Sequence, residues 1–239
     1  MPIALEASGF YEWYAPLNPV PALAIDSSRL DDVVAYYHEK PFRGLFGNRS
    51  FGFAQDDLDF LPRMADAIYL WLWDVELNNV DGIYALHELA YAGINPKRPG
   101  IDFSRFPALR RVINHWLKAD CGIAASTIVE YYLWHYKPRS KSFVGLEIPA
   151  CVERLEFNWA NPASLAGLPV LENLKRLEIH YCRNLWDLSA LTEIAPNLDS
   201  LAVFSSKRVE STAGVLNHPS LQNAYINGRV IVKKTGQIR

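Results

Sequence analysis

Histidines, carboxylates and cysteines are the groups from which this 239-residue chain would have to build a catalytic or metal site, and their spacing suits neither. His87 stands next to Glu88, but the second histidine four residues on, which a zinc-binding helix face requires, is missing. There is no Gly-rich phosphate loop, no G-x-S-x-G and no Cys/His spacing of the metal-binding kind. Two arrangements keep a catalytic reading open. His135 with Trp134 and Glu130 would make a small acid–base pocket, the plainer alternative being a solvated surface histidine. Glu156 and Glu178 would serve as a carboxylate pair if the fold set them on adjacent strands. The three cysteines, Cys121, Cys151 and Cys182, form an odd set without C-x-x-C, which points to reduced thiols in a cytoplasmic protein and not to a disulfide framework. No catalytic residues, metal or cofactor are expected.

The elements that must carry these groups are marked by leucines. Leu165, Leu168, Leu171, Leu174 and Leu177 follow at steps of three and run into Ile179. On an α-helix, at about 100° per residue, each step of three slips about 60° backwards, so the five would smear around the helix instead of forming one buried stripe. The ending Leu174-x-x-Leu177-x-Ile179-x-x-Cys182 resembles the leucine-rich repeat, L-x-x-L-x-L-x-x-N/C-x-L. With the second leucine as anchor, the pattern returns at Leu70, Leu89, Val112, Tyr131, Leu155, Leu177, Leu201 and Ala224, spaced by 19 to 24 residues. The Asn/Cys position holds Cys182 in one unit but Ala160, Ser206 and Gly228 in others, and Asn114 falls where an inward apolar residue belongs. The resemblance covers roughly residues 63–230. It implies an α/β solenoid, an irregular leucine-rich-repeat array of about eight units with a concave parallel β-sheet.

Residues 1–62 do not repeat and are expected to cap the solenoid of residues 63–239, since its first coil would otherwise expose its core. Two proline-bearing stretches, Pro16 to Pro21 and Lys40-Pro41, flank a helical segment from Ser28 to Glu39 with Asp31 and Asp32 in its first turn and Leu30, Val33, Val34 and Tyr37 on one face. Ser50 to Phe53 is read as a first strand, and Arg229 to Lys234 as a closing one. Pro96, Pro99, Pro107, Pro162, Pro169, Pro196 and Pro219 are expected on the connecting arcs, where no ladder donor is needed. Half the residues are hydrophobic, enough to fill a core, and the longest apolar run near the start, Ala67 to Trp73, is far short of the ~20 residues of a membrane span. The N-terminus lacks the basic region and apolar run of a signal peptide, so no membrane partner is expected.

Strand alternation then selects a surface. In each unit the anchor and the residue two later point inward, so the residues before, between and just after them form the other face. Read down the array, that face collects Trp71, Trp73, Trp116, Glu130, Tyr132, Trp134, Arg154, Glu156, Asn158, Trp159, Arg176, Glu178, His180 and Tyr181. Trp, Tyr and Arg are the residues enriched at binding hot spots, because they join a large apolar area to a polar handle. Trp71 and Trp73 belong to the core instead if the register there is displaced by one. The charged set has a plainer reading too, as lateral ion pairs between neighbouring strands.

Charge is nearly balanced overall but unevenly placed. Residues 1–96 hold 14 acidic and 5 basic side chains, against 12 acidic and 19 basic in residues 97–239. That suits a basic protein partner and fits poorly with wrapping nucleic acid along the chain. The stretch Lys97, Arg98, Arg105, Arg110, Arg111, Lys118 lacks the aromatic interleaving of a nucleic-acid site, so nucleic acid is not the expected partner. The resemblance implies protein recognition. By looser analogy the chain resembles bacterial immunity or antitoxin proteins, which neutralise a toxin by occluding it, here a basic toxin domain. A substrate-recognition or scaffold subunit is the alternative within binding modules, and an enzyme acting on a polymer in the groove, through Glu156 and Glu178, the alternative outside them.

Overall fold

The computed structural model describes residues 3–14, 20–94 and 97–233, and the chain divides into two compact units, Met1–Gly122 and Ile123–Arg239. In the first unit, strands β1 (Ala4–Leu5), β2 (Tyr11–Trp13) and β3 (Ala22–Ala24) pair antiparallel. From β3 onward the pairing is parallel, through β4 (Gly44–Gly47), β5 (Tyr69–Leu72), β6 (Tyr91–Ile94) and β7 (Arg111–His115). In the second unit β8 (Glu130–Trp134), β9 (Arg154–Asn158), β10 (Arg176–His180), β11 (Ser200–Phe204) and β12 (Asn223–Ile226) are parallel, and β13 (Arg229–Lys233) folds back antiparallel on β12. The Asn227–Gly228 pair makes that hairpin, both residues having positive φ (47° and 93°), as a two-residue turn of this hand requires. The mostly parallel strands with few helices are the architecture expected. Pro16, Pro19, Pro96 and Lys234 lie outside the described residues; the other named arc prolines do fall between strands.

The anchors line up across the ladder. Leu23, Leu45, Leu70, Ala92 and Val112 are in register in the first unit, and Tyr131, Leu155, Leu177, Leu201 and Ala224 in the second, all buried. The steps of three have a direct cause. The N–H of Leu168 donates to the carbonyl of Leu165, Leu174 to Leu171, Leu191 to Leu188 and Leu109 to Phe106, at 3.0–3.3 Å. Tight i to i+3 turns eclipse side chains three apart, so each arc brings its leucines to one interior line without a helix. Arcs also bond to arcs: Asn161 Nδ2 donates to the carbonyl of Pro138 and Asn184 Nδ2 to that of Asn161. From the Asn/Cys position the Cys182 N–H donates to Ser206 Oγ and the Ser206 N–H to Asn227 Oδ1, each at 3.0 Å, so a serine and the asparagine just before Gly228 carry the side-chain hydrogen bonds there.

Several expectations need correcting. The anchor of the 70s-to-90s unit is Ala92, not Leu89; Leu89 is buried, but it closes a turn on Leu86 before the strand begins. Leucine's bulk masked the small residue that lies in the ladder. Ser50 to Phe53 is not a strand: Arg49–Phe51 is a 3₁₀ turn held by Asn48, whose side chain accepts from the Ser50 N–H, and Gly52 turns left-handed at φ 92°. The strand is Gly44–Gly47, whose two glycines give it low strand propensity on paper. Parallel pairing starts at Ala22, inside the segment expected to form the cap. The helix α1 (Leu30–Glu39) is present, entered through a turn that Asp26 caps, and it buries Val33, Val34 and Tyr37.

Asn114 does point inward, and the register around it is sound. Its Oδ1 accepts from Arg98 at 3.0 Å and its Nδ2 donates to Asp120 at 3.1 Å. Arg98 also forks onto Asp120 at 2.7 and 3.0 Å, with the two side chains 0% and 1% exposed. A buried ion pair of this kind adds little net stability over apolar packing, but removing one partner strands the other. Arg98→Ala is therefore expected to cost about 3–5 kcal/mol in chemical denaturation. Leu177→Ala, which opens a void between the Leu155 and Leu201 coils, should cost about 2–5 kcal/mol. An unchanged midpoint for Leu177→Ala would contradict the inward register.

Candidate recognition face

The strands of the second unit turn alternate residues away from the leucine interior. On β9 these are Arg154, Glu156 and Asn158, and on β10 Arg176, Glu178 and His180, matched one to one by the parallel register. Register therefore sets arginine beside arginine and glutamate beside glutamate, a repulsive pattern if left alone. Diagonal pairing resolves it. Arg154 Nη2 reaches Glu178 Oε1 at 2.8 Å, Arg176 Nε reaches the same oxygen at 2.7 Å, and His180 Nε2 lies 3.2 Å from Oε2. Glu178 is only 9% exposed. Burial pushes its carboxyl pKa up, but the hydrogen bond from His180 and the charges of Arg154 and Arg176 outweigh this and hold it below the ordinary value. Glu156 accepts from Asn158 Nδ2, and on β8 the Tyr132 hydroxyl donates to Glu130 at 2.7 Å. The Arg154 guanidinium also lies 5.2 Å from the centre of the Tyr132 ring.

Glu156, Glu178 and His180 bring ligand atoms within 4.8 Å of one another. Both oxygens of Glu178 are already engaged, so a metal there would have to displace two guanidinium groups from a carboxylate. As an acid–base pair the two glutamates do lie side by side, with Glu178 held ionised near neutral pH. Cys182 offers no nucleophile, because burial pushes its thiol up to about 12.

The rings occupy the position where each strand ends. His135, Trp159 and Tyr181 have φ of 58°, 53° and 57°, and Asp74 and Ser205 do the same in other coils. Each of the three donates its N–H across the ladder, to Asn158, His180 and Phe204 respectively, at 2.8–3.0 Å, before the left-handed residue swings the chain into the arc. The ladder spacing then stacks the side chains: His135 on Trp159 at 5.1 Å and 10°, Trp159 on Tyr181 at 5.2 Å and 8°. Trp134 meets the edge of Trp159 at 5.5 Å. A second column joins His180 to Phe204 at 4.8 Å and Phe204 to Tyr225 at 5.1 Å. Trp159 and Tyr181 remain 36% and 45% exposed. Burial first, and then Lys137, lower the pKa of His135 and favour a neutral ring in the stack.

Eleven of the expected residues, from Glu130 to Tyr181, are thus on one face of the second unit. His135, Phe204 and Tyr225 belong with them, and the sequence does contain their signal: all three occupy the outward columns. Trp71, Trp73 and Trp116 belong to the first unit. Trp71 and Trp73 do lie on the side away from Leu70 and Leu72, but there they pack against Trp13, at 5.9 and 6.1 Å, and around Phe46, Phe51 and Tyr69. The Trp71 ring also covers Gly93, where a Cβ would come within 2.9 Å of it. Trp116 follows β7 and is half-buried. Glu88, next to His87, pairs with Arg43 at 2.6 Å. No family model matches this chain, nor does any curated protein or solved structure. Among the described residues no helix is long and apolar enough to cross a membrane.

A pH experiment tests the Glu178 cluster. With its folded pKa below the ordinary value of about 4.3, the unfolded chain takes up the proton first. The stabilisation is therefore complete above that value and is lost as pH falls through the folded pKa. Glu178→Gln should lower the urea midpoint at pH 7 and the gap to wild type should close on acidification; a gap independent of pH would show that packing, not charge, holds the cluster.

Proposed function

We propose that the chain is a leucine-rich-repeat-like solenoid that binds another protein through the outward face of β8–β12. The exposed column His135–Trp159–Tyr181 carries this reading. For an L-residue other than Asn or Asp the left-handed conformation costs about 1–2 kcal/mol, yet three large rings take it and stand in solvent. Rings already stacked, beside ion pairs already formed, lose little freedom on docking, which favours affinity. By analogy this is the work of an immunity or antitoxin protein that occludes a toxin domain. The adjacency of Glu156 and Glu178 favours one other reading, an enzyme acting on a polymer along the same face.

Trp159→Asn separates binding from folding. Asparagine accepts the left-handed backbone, so stability should change by no more than about 1 kcal/mol, whereas affinity for a partner captured from the source cells should fall about 30-fold. Collapse of stability with binding intact would place Trp159 in the core and the partner elsewhere. Turnover of a polymer by pure protein, lost in Glu156→Gln, would establish the enzymatic reading instead.

A further inference from the structure

A second site lies in the first unit and does not depend on the reading above. Alternation along β2 sends Tyr11 and Trp13 to the aromatic cluster and Glu12 to the opposite side, where it is 5% exposed. Its two oxygens are held separately: the Tyr14 hydroxyl donates to Oε2, and the Tyr36 hydroxyl donates to Oε1 at 2.9 Å. Among the described residues no basic group pairs with it, although an ionised carboxylate taken out of water calls for a counter-charge. Glu12 lines an open cleft of about 370 Å³ together with Glu6, Tyr14, Tyr36, Lys40 and Phe42. The Tyr36 ring stacks on Phe10 at 4.7 Å and meets Phe42 at 5.7 Å, which fixes an apolar wall beside the carboxylate. Lys40, the cleft's one cation among the described lining residues, is directed to Glu39 at 3.2 Å and lies 5.8 Å from the Tyr36 ring.

We propose that this cleft binds an alkylammonium group, with Glu12 as counter-ion, Glu6 at the rim and the Tyr36 and Phe42 rings against the methylene stem. An ionised carboxylate offers about four acceptor sites, and the phenols use two, so an ammonium finds a free lone pair on either oxygen. A guanidinium fork would have to meet both oxygens at once where each already accepts a hydrogen bond. The aromatic wall adds attraction for a cation and shelter for its stem. The hydrogen bond to Glu12, then burial and the nearby carboxylates, push the Tyr14 phenol up to about 12, so it remains a donor throughout the neutral range. The acidic bias of residues 1–96 concentrates cations at this end of the chain. A lysine side chain of a partner and a free alkylamine present the same chemistry.

Ligand-observed NMR titration of the full chain with n-butylammonium, methylguanidinium and butyrate tests the site. Saturable binding of n-butylammonium is expected, weakened about tenfold or more by Glu12→Gln, with butyrate inert and methylguanidinium weaker. The exposed Lys40→Ala change leaves the fold alone and should tighten n-butylammonium several-fold by removing the competing charge. Loss of binding in Lys40→Ala, or saturable binding of butyrate, would make this an anion site and overturn the proposal, as would no saturation by n-butylammonium or tighter binding of methylguanidinium. An acetylated Gly-Gly-Lys-Gly-Gly amide separates the sources: binding tighter than n-butylammonium supports a partner's lysine, and weaker binding supports a free amine.

Discussion

The arrangement of both units follows from one constraint: a single strand has too little apolar surface to close a core and must bury its inward residues beside those of the next strand. The rows Leu23–Leu45–Leu70–Ala92–Val112 and Tyr131–Leu155–Leu177–Leu201–Ala224 are the two expressions of it. In-register pairing keeps such rows aligned, because a slip of one residue would turn every leucine outward. The arcs obey the same constraint with i to i+3 turns. They approach so closely that a Cβ on Gly82 would come within 1.8 Å of the Leu58 carbonyl oxygen in the preceding arc. In the first unit the ladder passes into the antiparallel β1–β2 pair, and in the second into β13, so each array of parallel strands ends in a hairpin-like partner.

Register that aligns leucines on one side also aligns whatever stands on the other. On β9 and β10 it sets like charges side by side, and Glu178 becomes the buried centre that two arginines and His180 share. At the strand ends it aligns aromatic residues at the spacing of a ring stack. The side chains of this face are held partly by neighbours two residues along the same strand, as Glu156 by Asn158, and partly by residues of the next strand, as Arg154 by Glu178.

The two units use the outward face differently. In the first, Trp13 from β2 lies over Trp71, Trp73, Phe46 and Tyr69 and makes a small core there. In the second, rings at the ends of equivalent strands remain in solvent. The same alternation thus yields core in one place and surface in the other, according to what the rest of the chain brings against it. That difference also frees Glu12, on the reverse side of β2, to face its own cleft.

The mostly parallel strand architecture was legible from residues 150 onward, because leucines at steps of three and at strand spacing leave few other ways to be buried. Nine of the face residues followed from alternation alone, whereas Trp159 and Tyr181 stand just after the strands, where a left-handed residue ends the alternation. The early strands were not legible: Ala22–Ala24 and Gly44–Gly47 are small residues whose strand state comes from the neighbours they pair with, and Leu89 outweighed Ala92 on paper for the same reason. Nor did local pattern show that Asn114 is buried beside Arg98 and Asp120, since its partners come from the arc and no periodicity reports them. The sequence by itself determined which side of each clear strand faces the interior, because burial of leucine is a property of the local pattern. Only the tertiary structure decided which outward rings are covered by Trp13, which are stacked in solvent, and which carboxylates find a cation, because those outcomes depend on residues distant in the chain.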